Sequence, residues 1–143
     1  MNNIESNFVP YQIALDMKSI GFNEPCLAIY SNANPKTGLY TLKKYRLKLI
    51  KQASQKDKGV KAPLYQQNFR WFREKCNLFG KVYIVNFGAD EYSFDVYDLY
   101  EEKYKYENFI GASASYTGTF ETYEEAELAC LEKLIEIVES KQK

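Results

Sequence analysis

The fold is decided by residues 82–97, which read VYIVNFGADEYSFDVY. The first six of these residues are rich in β-branched and aromatic side chains, the types that favour strands. Residues 88–91 have the composition of a turn. Beyond them the large side chains of Tyr92, Phe94 and Val96 alternate with those of their neighbours. The stretch therefore predicts a β-hairpin.

Two segments lie between the hairpin and the last helix. Residues 101–108 are charged and rich in tyrosine, which predicts a loop or the end of a strand. Residues 109–120 predict a third strand of the same sheet. The small residues at 111–114 indicate a bulge in that strand or a close approach of another backbone segment.

Apolar spacing and end signals predict three helices. In the last one, Thr122 and Glu125 have the spacing of a capping box, in which the Thr122 hydroxyl accepts a hydrogen bond from the Glu125 amide. Pro63 opens a central helix, whose apolar stripe we interpret as core packing. The stripe consists of Leu64, Tyr65, Phe69, Trp71, Phe72, Cys76 and Leu78. The first helix is predicted over 9–20 and ends at Gly21.

The region between the first two helices begins with a predicted strand over 26–30 and a turn over 32–38. Residues 39–50 leave two alternatives. Alternation of apolar and basic residues from Tyr45 to Leu49 favours a strand, whereas Leu42, Tyr45 and Leu49 also fit helical spacing. The lysine-rich residues 51–61 predict a mobile loop.

The element order is therefore helix, strand, strand, helix, hairpin, strand, helix, which predicts an α+β fold. We expect two layers, with a mainly antiparallel sheet packed against about three helices. The chain has 143 residues, the length of one domain, so we expect a single globular domain over 1–143.

Composition excludes several classes of site. Histidine is absent, so Ser-His-Asp and Cys-His catalysis are excluded and the commonest metal ligand is missing. Cys26, Cys76 and Cys130 form no C-x-x-C pair, and we interpret them as reduced core thiols. We predict no metal, no cofactor and a cytoplasmic location. The N-terminus does not read as a signal peptide, and no apolar run approaches the ~18 residues of a membrane span.

One carboxylate cluster remains, formed by Asp95, Asp98, Glu101 and Glu102. On a strand, Asp95 and Asp98 point to opposite faces, so the two carboxylates cannot converge on a metal ion or act as a catalytic acid and base. We interpret all four as solvated.

The formal net charge is zero, but the charges are unevenly distributed. Residues 36–81 hold thirteen Lys and Arg against two acidic residues, a balance of +11. Residues 82–140 hold fourteen Asp and Glu against three Lys, a balance of −11. Such a split is typical of a basic nucleic-acid-binding face with an acidic back, of two halves that attract each other in the fold, of an interface with an oppositely charged partner, or of interleaved solvated surfaces.

Surplus tyrosine favours a small, non-enzymatic accessory protein that binds another protein or itself, because tyrosine is enriched at protein interfaces. The candidate partner-binding residues are Tyr92, Tyr97, Tyr100, Tyr104 and Tyr106, with Tyr116 beside them. The alternative is single-stranded nucleic acid held by the basic 36–81 segment. Its candidate residues are Lys43, Lys44, Tyr45, Arg46 and Lys48. A small histidine-free enzyme is a third hypothesis, without a catalytic motif to support it.

Three blocks of sequence carry a resemblance. They are FVPY at 8–11 with GFNEPC at 21–26, APLYQQ at 62–67 with FRWFREK at 69–75, and TYEEA at 122–126 with CL and KLIE at 130–136. In these blocks the chain resembles small uncharacterised proteins common in phages and mobile elements of anaerobic gut bacteria. The blocks cover roughly a third of the chain, and the last is a generic capped helix. The resemblance implies a phage or mobile-element setting in a bacterial host, and no activity, ligand or catalytic residue.

Overall fold

The computed structural model describes residues 4–31, 46–49, 59–86, 91–107, 109–110, 115–116 and 119–142. Within these ranges lie three α-helices and two three-stranded antiparallel sheets, which confirms the predicted α+β class. The chain divides into two compact units, Met1–Gln67 and Asn68–Lys143. The boundary falls inside the second helix.

The first unit begins with a short 3₁₀ helix (Ile4–Asn7), followed by helix α1 (Tyr11–Ser19), which buries Ile13, Ala14 and Met17. The helix follows Pro10, whose missing N–H costs nothing before a first turn. It ends at Ser19, and the predicted stop Gly21 follows two residues later, where a φ of +105° favours glycine.

The sheet of the first unit has strand β1 (Ala28–Ser31) in the centre, between β2 (Arg46–Leu49) and β3 (Val60–Ala62). Strand β2 confirms the strand alternative for its part of 39–50, while 39–45 and 50 lie outside the described residues. Strand β3 shows that the loop predicted over 51–61 was wrong at Val60 and Lys61; residues 51–58 are not described. Three residues are too few for a clear alternation, yet Val60 and Ala62 are buried.

Helix α2 (Tyr65–Cys76) begins two residues after Pro63. Trp71 and Phe72 are buried as predicted, with their rings edge to face at 5.2 Å. Asn68, which an apolar stripe does not predict, is fully buried, and its amide has no hydrogen-bond partner among the described residues. The helix gives way to a strand at Asn77, which adopts a positive φ of 56° that asparagine tolerates.

The sheet of the second unit contains β4 (Leu78–Asn86), β5 (Glu91–Asp98) and β6 (Lys103–Tyr106) in that order. Strands β4 and β5 confirm the hairpin, although β4 begins four residues early. Of the turn predicted over 88–91, Glu91 belongs to β5 and residues 88–90 lie outside the described residues. Leu78 belongs to this strand and not to the helical stripe.

The third strand of that sheet is β6, so its prediction at 109–120 was wrong. The described parts of 109–120 form a separate pair of short strands, β7 (Phe109–Ile110) and β8 (Ser115–Tyr116). Residues 111–114 lie outside the described residues. Phe120 pairs with the β4-β5-β6 sheet, through two backbone hydrogen bonds with Tyr92 of 2.8 and 2.9 Å.

Helix α3 (Tyr123–Gln142) packs on β4 and β5. Its cap is confirmed, since the Glu125 N–H donates to the Thr122 hydroxyl at 3.1 Å. The contact with β4 is close at Gly80, where a Cβ would lie 2.8 Å from Cys130 Sγ. Cys26 and Cys130 are buried as expected for core thiols, and Cys76 is half-buried.

Candidate interaction surface

The β4-β5-β6 sheet has two chemically different faces, set by side-chain alternation. Register pairs Leu78 with Asp98, Gly80 with Val96 and Val82 with Phe94. These residues form the helix face, on which α3 packs. The opposite side, here called the aromatic face, carries Phe79, Lys81, Tyr83, Asp95, Tyr97 and Tyr104.

Three rings form a row across the aromatic face, one from each strand. Phe79 is the register partner of Tyr97, and Tyr97 is the register partner of Tyr104. The Tyr97 and Tyr104 rings meet edge to face with centroids 5.1 Å apart. Phe79 is 38% exposed and Tyr104 is 53% exposed, whereas Ser93, further along the same face, is buried. The row therefore lies at the more solvent-exposed end of the aromatic face.

The polar groups of the aromatic face lie beside this row. Lys81 and Asp95 are register partners on adjacent strands, so one positive and one negative charge stand side by side. The Tyr83 hydroxyl donates to Asp95 Oδ1 at 3.2 Å. Lys81 Nζ lies 6.0 Å from the centroid of the Tyr83 ring. The two charges on this face balance.

The structure does not bring the five candidate tyrosines together. Tyr97 and Tyr104 share the aromatic face, and Tyr100 lies in the β5–β6 turn with 83% of its surface exposed. Tyr92 and Tyr106 belong to the helix face. Tyr92 lies edge to face with Tyr123 of α3 at 6.1 Å, and Tyr106 stacks on Phe94 at 4.7 Å.

A β-bulge explains why Tyr104 and Tyr106 separate. Tyr104 pairs with Tyr97 and Tyr106 pairs with Val96, so Lys105 is an extra residue between two consecutive register pairs. The bulge turns the Tyr106 side chain towards α3, where Lys133 Nζ lies 5.2 Å from its ring centroid. The side chain of Tyr116 in β8 is not among those described.

The turn that carries Tyr100 is held by Asp98. This carboxylate is buried, so the interpretation of Asp98 as solvated was wrong. It accepts hydrogen bonds from the N–H groups of Tyr100 and Glu101 at 2.9 and 2.8 Å, and from the Lys141 ammonium at 3.2 Å. Burial raises the pKa of a carboxyl, but these three donors outweigh burial and lower the pKa of Asp98.

The remaining carboxylates form no metal site among the described residues. Glu101 forms ion pairs with Lys103 and Lys105. Asp95 and Asp98 lie on opposite faces of the sheet, as the sequence predicts.

Of the alternative basic site, the structure describes only a part. Lys43, Lys44 and Tyr45 lie outside the described residues. Arg46 and Lys48 belong to β2, where they are the register partners of Ser31 and Ile29 of β1. The nucleic-acid alternative therefore stays a prediction.

Sequence reasoning missed Phe79, Lys81 and Tyr83 as members of the aromatic face. Alternation along β4 was the available signal, but Gly80 interrupts it. The interruption left Leu78 outside the predicted strand, where it fitted the apolar stripe of the preceding helix. Cross-strand register, which the sequence does not show, places these residues beside Tyr97 and Asp95.

Comparisons of the chain with protein-family models, with curated proteins and with solved structures found no match. Within the described part of the chain, no helix combines the length and apolar character needed to cross a membrane.

Proposed function

We propose that this protein is a non-enzymatic accessory protein that acts through protein–protein interaction, and that its aromatic face binds the aromatic face of a second copy. The observation that carries the proposal is the row of Phe79, Tyr97 and Tyr104, in which the two outer rings, Phe79 and Tyr104, remain partly exposed.

Such a row suits an interface for a physical reason. Tyrosine and phenylalanine bury a large apolar area with few rotatable bonds, so ordering them costs little entropy. Their positions on three paired strands fix the rings before binding. Residues of this kind, in contact across strands, are the usual anchors at the centre of an interface.

The charges of the chain favour a second copy as the molecule that binds the aromatic face. The chain has a formal net charge of zero, so two copies do not repel one another at long range. The aromatic face carries its own matched pair, Lys81 and Asp95. In a twofold arrangement, Lys81 of each copy can face Asp95 of the other, so the surface is complementary to itself.

The thiols support a non-catalytic role. Burial raises the pKa of Cys26 to about 11, although the nearby Lys61 charge opposes this. Burial also raises the pKa values of Cys76 and Cys130, so none of the three is an activated thiolate. An accessory role in a phage or mobile element is part of the proposal and rests on the sequence resemblance alone.

Sedimentation equilibrium of the purified chain tests the proposal without knowledge of any other partner. We expect a reversible dimer, and Tyr104→Ala should weaken it by at least about tenfold, as the loss of an anchor does. Leu27→Ala is the matched control, because Leu27 is an exposed apolar residue of the first unit, 64% exposed. It should leave the dimer unchanged.

A charge exchange identifies the surface. Lys81→Glu and Asp95→Lys should each weaken the dimer, because each places like charges opposite one another. An equal mixture of the two variants should dimerise again, since every cross-copy pair is then of opposite charge. A chain that stays monomeric at its highest workable concentration, or a dimer indifferent to Tyr104→Ala, would contradict the proposal.

A further inference from the structure

A small pocket lies in the first unit, at the end of α1. Its volume is about 120 Å³, several times the ~30 Å³ that one water takes in the liquid and below the ~300 Å³ at which sites for drug-sized ligands begin. It suits a group of a few heavy atoms. The lining residues are Ala14, Lys18, Phe22, Asn23, Gly59 and Lys61.

Two ammonium groups belong to this lining, and neither forms an ion pair with a carboxylate of the described residues. Lys61 Nζ donates to Asn23 Oδ1 at 3.0 Å and to the Asn23 carbonyl at 3.5 Å. Because Asn23 Oδ1 accepts this bond, the Asn23 side-chain NH₂ remains a donor. The Lys18 ammonium, in the last turn of α1, has no hydrogen-bond partner within the described ranges.

The backbone carbonyls at the end of α1 and the Asp16 carboxylate already accept hydrogen bonds. The carbonyls of Asp16, Met17 and Lys18, at the negative end of the α1 dipole, already accept hydrogen bonds from the N–H groups of residues 20–22. The Asp16 carboxylate accepts from Gln12, and neither Asp16 nor Glu24 lines the pocket. The part of the lining formed by described residues is therefore positively charged and rich in donors.

We propose that this pocket binds a phosphate group, either as free phosphate or as the terminal phosphate of a monoester. Lys18 and Lys61 supply the charge, and Asn23 supplies a neutral donor. Phe22, which is buried, contributes an apolar part of the lining. A doubly charged oxyanion matches two lysines better than a carboxylate does. The proposal does not depend on the aromatic face, which belongs to the other unit.

Gly59 forms part of the pocket wall. A Cβ at this position would clash with the Tyr30 carbonyl oxygen of β1. The backbone at Gly59 thus approaches β1 more closely than any other residue allows, and this contact positions Lys61, two residues further on in β3.

The test is a titration of the isotopically labelled full chain with inorganic phosphate at constant ionic strength, followed by backbone amide shifts. We expect saturable shifts at Phe22, Asn23, Gly59 and Lys61. Lys18→Gln should weaken binding by about tenfold, because it removes one charge-assisted hydrogen bond. Lys75→Gln is the matched control, since Lys75 is an exposed lysine of α2, and it should bind phosphate like the parent chain.

Titrations with related anions define the chemical class of the ligand. Tighter binding of methyl phosphate than of inorganic phosphate would identify a monoester as the source, and the reverse would identify the free ion. Acetate should bind at least about tenfold more weakly, because it has a single charge. Equal binding of acetate, shifts that do not saturate, or phosphate binding unchanged in Lys18→Gln would overturn the assignment.

Discussion

The two faces of the β4-β5-β6 sheet contain similar side chains and differ in what they contact. The helix face holds Phe94, Tyr92 and Tyr106, and the aromatic face holds Phe79, Tyr97 and Tyr104. On the helix face Phe94 is 3% exposed, whereas on the aromatic face Tyr104 is 53% exposed. Residue type therefore does not distinguish core from surface here. The distinction comes from α3, which covers one face and leaves rings partly open on the other.

The largest stability effect is expected from truncation at the centre of the helix face. Phe94→Ala should lower the free energy of unfolding by about 3 to 5 kcal/mol, because it removes a buried ring stacked on Tyr106. Denaturant unfolding measures the loss. Phe79→Ala, on the aromatic face, should cost clearly less because part of its ring is already in water. Equal losses would show that the two faces are buried alike.

A second test fills the close contact between β4 and α3. Gly80→Ala should cost about 1 to 3 kcal/mol, because the new Cβ meets Cys130 Sγ at 2.8 Å and the Leu134 and Phe69 side chains at 3.0 and 3.1 Å. Thermal unfolding would report the cost. Adding Cys130→Ala should recover part of it by removing the sulfur, so purely additive effects would argue against this contact.

A third test measures, as a function of pH, how much the buried Asp98 carboxylate stabilises the fold. Asp98→Asn should cost about 1 to 2 kcal/mol at neutral pH, because hydrogen bonds to a charged group are replaced by weaker ones. The folded pKa of Asp98 lies below its unfolded value of about 3.9, so the carboxylate stabilises the fold above that pH.

This stabilisation is lost as the pH falls through the folded pKa. The difference in melting temperature between parent and variant should therefore shrink from pH 5 towards pH 2. A difference that stays constant over that range would show that the Asp98 charge contributes nothing.

The smallest stability effect is expected on the aromatic face. Tyr104→Ala should change the free energy of unfolding of the monomer by about 0.5 kcal/mol, since it loses only one edge-to-face ring contact at an exposed position. A loss as large as that of Phe94→Ala would place Tyr104 in the core and remove it from the proposed interface. Dilute samples keep dimerisation from contributing to the measurement.

Much of the fold was predictable because its signals are local. Pro63 and the Thr122 cap mark helix starts, and alternation within 82–97 marks the hairpin. Strand β6 was harder, since its sequence Lys-Tyr-Lys-Tyr is charged and resembles a loop. Strand β3 has three residues, too few for a pattern.

The candidate surface was only half predictable for a different reason. Tyr97 and Tyr104 were identified from composition, but their separation from Tyr92 and Tyr106 depends on strand register and a bulge. Buried Asn68 and Asp98 were missed because polar residues are predicted to be exposed unless their surroundings are known. The pocket at Lys18 and Lys61 joins residues 43 positions apart, which no spacing rule connects.

The extra residue at Lys105 also bears on how this chain tolerates changes in length. Removing Lys105 would abolish the bulge and place Tyr106 directly after Tyr104, so strict alternation would keep Tyr106 opposite Val96 on the helix face. A single-codon deletion at this position should therefore leave both rings on the faces that they occupy now. Among natural variants of this protein, we expect the length of β6 to vary by one residue at Lys105 more readily than at positions of the strand without a bulge.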